Sequence, residues 1–495
     1  MPGTRLDVFH DIQKWVDDLD MPNIFWLSGS PGSGKTTIAS TVVADFHYFS
    51  GQFFFHRDAA ELRDPDNLWR RLALDLALGS NDLKKSIAQA LEAQKANIRG
   101  FDIFMQFEHL IAKPLGEVFE TFEKPLLIVV DALDECDSYE KLLPSLKSWS
   151  YLSKSLKLLI TSRRYSDIQS SLGSISVHLD LQTGHGVSNH TSDDLEKYLI
   201  VRFSEVARLP PKWPGPAKIS LLVRKAAGLF IWAKSAMDFI LHKGGDPEER
   251  LDIISAGSGE GIDAVDSLYH QVISVALQGL RKQEEAALRV VLGSIVIAKN
   301  PLRTQDLKEL LGVKDSLLNS IIGQLSPILS ISDANYLHIC HQSVTDFLLD
   351  PKRSRDFWID SQLHSLRFSG YCLNFMNAKL KFNFFDLKTS HILNKDIPEL
   401  ADHIKTMKST ALDHASYFWA SYLQKNYDEI IQLEVQVAVE EFLMVHCLHW
   451  LEVMSLMGRV SLAAQLLLSA ARWSRVSDMY NKVTMILIWR KKCRL

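Results

Sequence analysis

To about His190, short and almost continuous apolar runs alternate with longer amphipathic stretches, and this alternation sets the expected fold. Asn23–Ser28 predicts a strand, followed by a Gly-rich turn and a helix from about Lys35. Gln52–His56, with three successive Phe residues, predicts a buried strand. Leu126–Asp131 is almost wholly aliphatic, and Leu156–Thr161 and Ser174–Leu181 supply two more runs. A strand that reads apolar at nearly every position is covered on both faces, which between helical stretches means a parallel sheet. The expectation is an α/β domain over residues 23–188, after a lead-in of 1–22.

Beyond that point strand-like runs become rare and a period near 3.6 takes over, as in Leu195–Phe203 and Ile219–Ile240. Turn-rich breaks at Pro210–Pro216, Lys243–Pro247 and Ala256–Gly261 divide the remainder. They predict helical units over 189–262, 263–352 and 353–495, the middle one closing in a hairpin at Ser330–Cys340 and a helix at His341–Leu349. No repeat of fixed period, of the kind that builds propellers or solenoids, is legible.

Composition narrows the class. Hydrophobic residues make up 46% and charged residues 23%, as in folded globular proteins. The net charge is −4 with both signs dispersed, so no basic footprint for nucleic acid is present. Five cysteines (Cys136, Cys340, Cys372, Cys447, Cys493) without CxxC spacing fit reduced thiols rather than a disulfide scaffold. The start of the chain lacks the apolar core of a signal peptide, and runs such as Met485–Trp489 are too short to cross a bilayer. The expected setting is therefore cytoplasmic.

The chemistry begins at Gly29-Ser30-Pro31-Gly32-Ser33-Gly34-Lys35-Thr36, followed by Thr37, which satisfies GxxxxGK[ST] at every fixed position. Glycines let such a loop turn its amides inward around a phosphate, a lysine reaches the β and γ oxygens, and the hydroxyl can ligate Mg²⁺. The following helix adds its N-terminal dipole. Downstream, Leu126–Val130 delivers Asp131 at the end of a buried strand, where it can hold Mg²⁺ through water. Asp134 and Glu135 lie just beyond, either one placed to polarise an attacking water. Leu158–Thr161 then brings Ser162 and Arg163 to the end of another strand, where a guanidinium can tell ATP from ADP; Arg164 competes for that role.

Together Thr4-Arg5, Phe25–Gly29, the loop through Lys35, Asp131–Glu135 and Ile160–Arg163 resemble the NACHT P-loop NTPases of fungi. These are signal-transduction ATPases with numerous domains (STAND), related to NOD-like receptors and to the N-terminal NTPase region of nephrocystin-like proteins. Ala227–Ala233 resembles the segment opening a helix behind the nucleotide, and Leu337–Leu348 resembles the family's winged-helix motif. The resemblance implies a five-stranded nucleotide domain (23–188), a helical lid (189–262) and a winged helix (263–352), with ATP or ADP and Mg²⁺ as cofactors. It also implies that His341 touches the ADP β-phosphate. Three residues precede Thr4-Arg5 and no repeat array follows, so the chain is expected to carry neither the effector domain nor the repeat-built sensor usual in such receptors.

Other groupings fail on spacing. Cys340-His341 with His338, and His446-Cys447 with His449, have no second ligand pair at zinc spacing. His341, Ser343 and Asp346 have the residue types of a hydrolase triad but no nucleophile elbow. Phe382–Phe385 reads as core. The leading expectation is a slow ATPase switch with roles in nonself recognition or programmed cell death, associating with itself or with related chains on activation. The alternative is a nucleotide-bound scaffold, or a truncated regulator of full-length relatives, that never turns over.

Overall fold

The computed structural model describes residues 3–474, except 47–48, 58, 94–100, 119–123, 207–208, 243–244, 389–393, 398, 408 and 425–427. Cys493, the run Met485–Trp489 and the end of the 353–495 region lie outside the described residues. Two compact units form: one holds the chain up to Val272 together with His341–Ser343, the other Ile273–Cys340 and the chain from Val344.

The first unit is built on five parallel strands in the order β2-β3-β4-β1-β5: β1 Ile24–Gly29, β2 Phe49–Phe54, β3 Leu126–Asp131, β4 Leu156–Ser162 and β5 Ser176–Leu181. Successive side chains of a strand point to opposite faces, and both faces are filled. Ile24, Trp26, Ile128, Val130, Leu158 and Ile160 pack with Leu68, Trp69, Leu72 and Trp149. Phe25, Leu27, Leu127, Val129 and Leu159 pack on the other face with helix α1 (Leu6–Asp17) and helix α2 (Lys35–Asp45). Helix α1 supplies Val8, Ile12, Trp15 and Val16, the i, i+4, i+7, i+8 stripe of a helix with one buried face. This is an α/β fold on a parallel sheet, and the continuous apolar runs follow from its two covered faces.

The predicted Gln52–His56 strand starts three residues earlier, at Phe49, and ends at Phe54, because Phe54 pairs with Asp131 at the end of β3 and the ladder stops there. The run Ile219–Ile240 is two helices, Pro216–Ala226 and Phe230–Ile240. The break falls at Ala227 and Gly228, with φ of 42° and 86°. Ala227 accepts from the Gly184 amide at 2.9 Å, and a Cβ on Gly228 would lie 2.4 Å from Val187, so a helix cannot run through. Asn189–Ser204, capped by the Ser188 hydroxyl on Thr191 N, contains Leu195–Phe203.

In the second unit the hairpin expected at Ser330–Cys340 appears as β7 Leu329–Ile331 and β8 Tyr336–Ile339, with Asn335 left-handed in its turn. A third strand, β6 (Leu302–Arg303), pairs with β8; two residues carry no period, so it was not legible in the sequence. Helices Lys282–Ile297, Thr304–Leu311 and Asp315–Gln324 precede the β7–β8 hairpin in sequence, and Ser361–Lys379 centres a helical bundle with Trp419, Phe442 and Trp450 at its core. Phe385 is fully buried, whereas Phe382 is exposed. Cys136, Cys372 and Cys447 are buried free thiols. Among the described residues, no helix is long and apolar enough to cross a membrane.

Candidate functional site

The loop between β1 and α2 turns on two glycines in left-handed backbone, Gly32 (φ 82°) and Gly34 (φ 100°). Gly29 is needed for space: a Cβ there would meet Ser33 Oγ at 2.9 Å and Leu181 at 3.0 Å. Lys35 folds its Nζ back over the loop, donating to the carbonyls of Gly29 (2.8 Å) and Ser30 (3.0 Å), and Ser30 Oγ meets Thr183 Oγ1 at 3.0 Å. Pro31 stands at the tip, half-buried, and Thr36 and Thr37 open α2 from an exposed position. Ser33 Oγ is buried without a hydrogen-bond partner among the described residues.

Opposite the loop, β3 and β4 end in the polar residues expected. Asp131 is 1% exposed and accepts from Thr161 Oγ1 at 2.5 Å, with the Thr36 hydroxyl near enough to favour its charged form. Burial raises its pKa, and these hydroxyls and Lys35 oppose the rise. Burial also lowers the Lys35 pKa, against the pull of Asp134, Asp131 and Glu135. Thr36 and Asp131 therefore come together as a hydroxyl and a carboxylate beside the half-buried Lys35 ammonium, a donor set that suits Mg²⁺ on a phosphate.

The acidic pair is divided by its neighbours. Arg163 donates to Asp134 through its backbone N (Oδ1, 2.9 Å) and its Nε (Oδ2, 3.0 Å), so both carboxylate oxygens of Asp134 are engaged. Glu135 accepts from the Arg57 backbone N at 3.4 Å, while Arg57 Nη2 donates to the Asp134 carbonyl at 3.2 Å. Burial, then the charge of Asp134, pushes the Glu135 carboxyl up to about 7, where it can exchange a proton near neutrality. Arg164, the competitor of Arg163, is half-exposed and faces Asp180 at 3.7 Å.

Three further elements reach the loop. The helix Phe230–Ile240 starts against it: Ile231 N donates to the Gly32 carbonyl at 3.1 Å. Arg5, 7% exposed, donates from Nη2 to the Ser33 carbonyl (3.0 Å) and from Nη1 to Thr191 Oγ1 (2.7 Å), lies 5.1 Å over the Phe230 ring, and uses its backbone N on Asp194 (2.8 Å). His341 presents its Cε1 edge 3.7 Å from where a Gly32 side chain would begin. Lys35 thus has Asp131, Asp134, Glu135 and Arg163 acting on its charge, His341 lies beside Gly32, Arg5 reaches the loop at Ser33, and Arg57 contacts the acidic pair. Arg5 stood in a quoted motif, but nothing in its spacing names Ser33, Thr191 or Phe230 as partners; Arg57 carried no signal.

Alanine at Gly32 tests how tightly the loop is closed from outside. Its Cβ would sit 1.9 Å from Ile231 Cγ2, on a β-branched residue whose own backbone is bonded to Gly32, and in left-handed backbone. Gly32→Ala is expected to lower stability by about 3 kcal/mol, combining backbone strain and overpacking. Urea unfolding of the full chain measures it, and an unchanged midpoint would contradict the packing described.

Residues 3–163, from the start of the described chain through Arg163, match the family model described as Nephrocystin 3, N-terminal. No curated protein sequence matches the chain. Among solved structures, a STAND protein with a tetratricopeptide repeat sensor from Pyrococcus horikoshii is 14% identical over 96% of this chain and 64% of its own, with a TM-score of 0.42. This chain thus spans less than two thirds of that protein. A RuvB variant from Thermotoga maritima is 12% identical over 68% of this chain and 92% of its own, at a TM-score of 0.27. The Orc1 protein of Aeropyrum pernix, solved in complex with DNA, is 16% identical over 70% and 93%, also at 0.27. Phosphate loop, strand order and family match converge on one statement: the chain has a P-loop NTPase fold whose residues 3–163 are similar to the nephrocystin 3 N-terminal region.

Proposed function

We propose that this chain is an ATP/ADP-dependent conformational switch of the STAND class, NACHT-like in its nucleotide region, that hydrolyses ATP slowly. The observation that carries the reading is the crowding of one loop residue: Gly32 faces Ile231 of the Phe230–Ile240 helix and His341 together. A nucleotide held by the loop would then be sensed by elements from the lid and from the head of the Gln342–Leu349 helix at once. In this reading 23–188 is the nucleotide domain, 189–262 the lid, 263–352 a winged helix and 353–495 a helical extension.

Gly29–Thr37 would cradle the phosphates, with Lys35 on the β and γ oxygens and Thr36 and Asp131 holding Mg²⁺. The bound metal supplies charge neutralisation on the phosphates. Glu135 takes the proton of an attacking water, and Asp134 holds Arg163 ready for the γ-phosphate. His341 donates to a β-phosphate oxygen in the closed, ADP-bound state. ATP in place of ADP opens the molecule for self-association, in the manner of fungal NOD-like receptors in the cytoplasm.

The first test is the nucleotide that the purified protein carries, released by denaturation and chromatographed. Stoichiometric ADP, lost in a His341→Ala variant, supports the closed switch. A protein that emerges empty and does not bind added Mg-ATP sinks it. One observation favours the second reading, a scaffold that binds nucleotide without turnover: both oxygens of Asp134 are tied to Arg163. Single-turnover hydrolysis separates the two, since no product after hours of incubation leaves only the scaffold.

A further inference from the structure

His341 is the last residue before the Gln342–Leu349 helix, and its ring is anchored from behind. Ser343 N donates to His341 Nδ1 at 3.1 Å, and Ser343 Oγ lies 2.8 Å from the same nitrogen. Behind Ser343, the hydroxyl of Tyr269 lies 2.7 Å from Ser343 Oγ. Tyr269 is fully buried on the Ile262–Leu277 helix, and Ser343 is 6% exposed.

The donor directions in this chain follow from one fixed point. A backbone N–H only donates, so Nδ1 of His341 is an acceptor and the neutral ring carries its proton on Nε2. Ser343 Oγ–H then also points at Nδ1, which leaves the Ser343 oxygen to accept from Tyr269 O–H. Nε2 neighbours Cε1, the ring edge that faces Gly32 in the phosphate loop. The ring atom nearest the loop, Cε1, is bonded to the nitrogen that carries the proton, and the Ser343 amide and two hydroxyls hold the ring in that orientation.

We propose that Tyr269 and Ser343 are positioning residues that fix the tautomer and orientation of His341, so that its Nε2–H donates to the β-phosphate of a bound nucleoside diphosphate. The inference rests on the switch reading above and adds the residues that set the donor. Ordering of a ligand by the group behind it is worth about 10–100-fold at metal-bound histidines. A hydrogen bond from neutral imidazole to phosphate is of the same order.

The test compares ADP with AMP, which has no β-phosphate, by calorimetric titration of the full chain and of Tyr269→Phe, Ser343→Ala, Ser343→Thr, His341→Ala and the His341→Ala/Ser343→Ala pair. Tyr269→Phe and Ser343→Ala are expected to weaken ADP about 10-fold and leave AMP unchanged. Ser343→Thr keeps the hydroxyl and wild-type affinity, and the double variant binds ADP no worse than His341→Ala alone. Tyr269→Phe keeps the buried ring, so a loss there is not a folding defect. If His341→Ala weakens ADP but neither hydroxyl deletion does, or if they weaken ADP and AMP equally, the relay is wrong and the switch reading stands. If His341→Ala itself leaves ADP binding unchanged, the phosphate contact of the switch falls, and the relay with it.

Discussion

Replacing Lys35 with alanine is expected to weaken ATP binding about 100-fold or more. In the structure Lys35 Nζ donates to two loop carbonyls at 2.8 and 3.0 Å, contacts that phosphate oxygens would take over at little geometric cost. Each charge-assisted bond contributes about 1.5–3 kcal/mol, so the loss of two removes about 3 kcal/mol at least, or two decades in Kd. The surroundings add to this, because Asp131, Asp134 and Glu135 all act electrostatically on that ammonium. Without it, three carboxylates would meet the incoming phosphates with less positive charge between them. Titration with Mg-ATP measures the effect, and an affinity within roughly 3-fold of wild type would overturn the assignment of the loop.

Replacing Glu135 with glutamine is expected to lower single-turnover hydrolysis by about 100-fold to 1,000-fold with ATP affinity retained, as removal of a general base does. The pH dependence carries the sharper signature. Burial and Asp134 hold the Glu135 carboxyl at about 7, so it is protonated and inert below that value and a working base above it. The wild-type kcat/KM for hydrolysis should rise through about pH 7, and the rise should vanish in the Gln variant. The same titration acts on stability with the opposite sign. Glu135 binds its proton more tightly in the folded protein than in the unfolded chain, so its contribution is complete at low pH and is lost as pH rises from 4.5 to about 7. A Gln variant whose hydrolysis equals wild type would remove Glu135 from the chemistry.

What could be read in advance divides along physical lines. The five strands and their parallel class were legible because both sheet faces are buried, which writes itself as unbroken apolar runs at β1, β3 and β4. The phosphate loop was legible because its left-handed turns at 32 and 34 fall on glycine, the residue that takes them without strain, at fixed positions of the motif. Contacts that depend on distant parts of the chain meeting were not. Arg5 reaches Thr191 across 186 residues, and Asp134 engages Arg163 across 29, so no local period encodes either. The division of labour between Asp134 and Glu135 was likewise invisible, since two adjacent acids look alike until one of them is tied up. The helix break at Ala227–Gly228 lies inside a run of helical period, and only the resemblance of Ala227–Ala233 to a helix-opening segment marked it.

The buried thiols have a practical consequence. Cys136 lies in the turn that follows β3 and the acidic pair, in the first unit; Cys372 and Cys447 lie within the helical bundle of the second. Burial pushes Cys136 and Cys447 up to about 12 and Cys372 higher still, so none is a thiolate at neutral pH in the folded protein. An alkylating reagent can reach them only when their surroundings open. Mass-spectrometric timing of adducts, thiol by thiol, would therefore clock the breathing of each unit separately, with and without nucleotide, using labels the chain already carries.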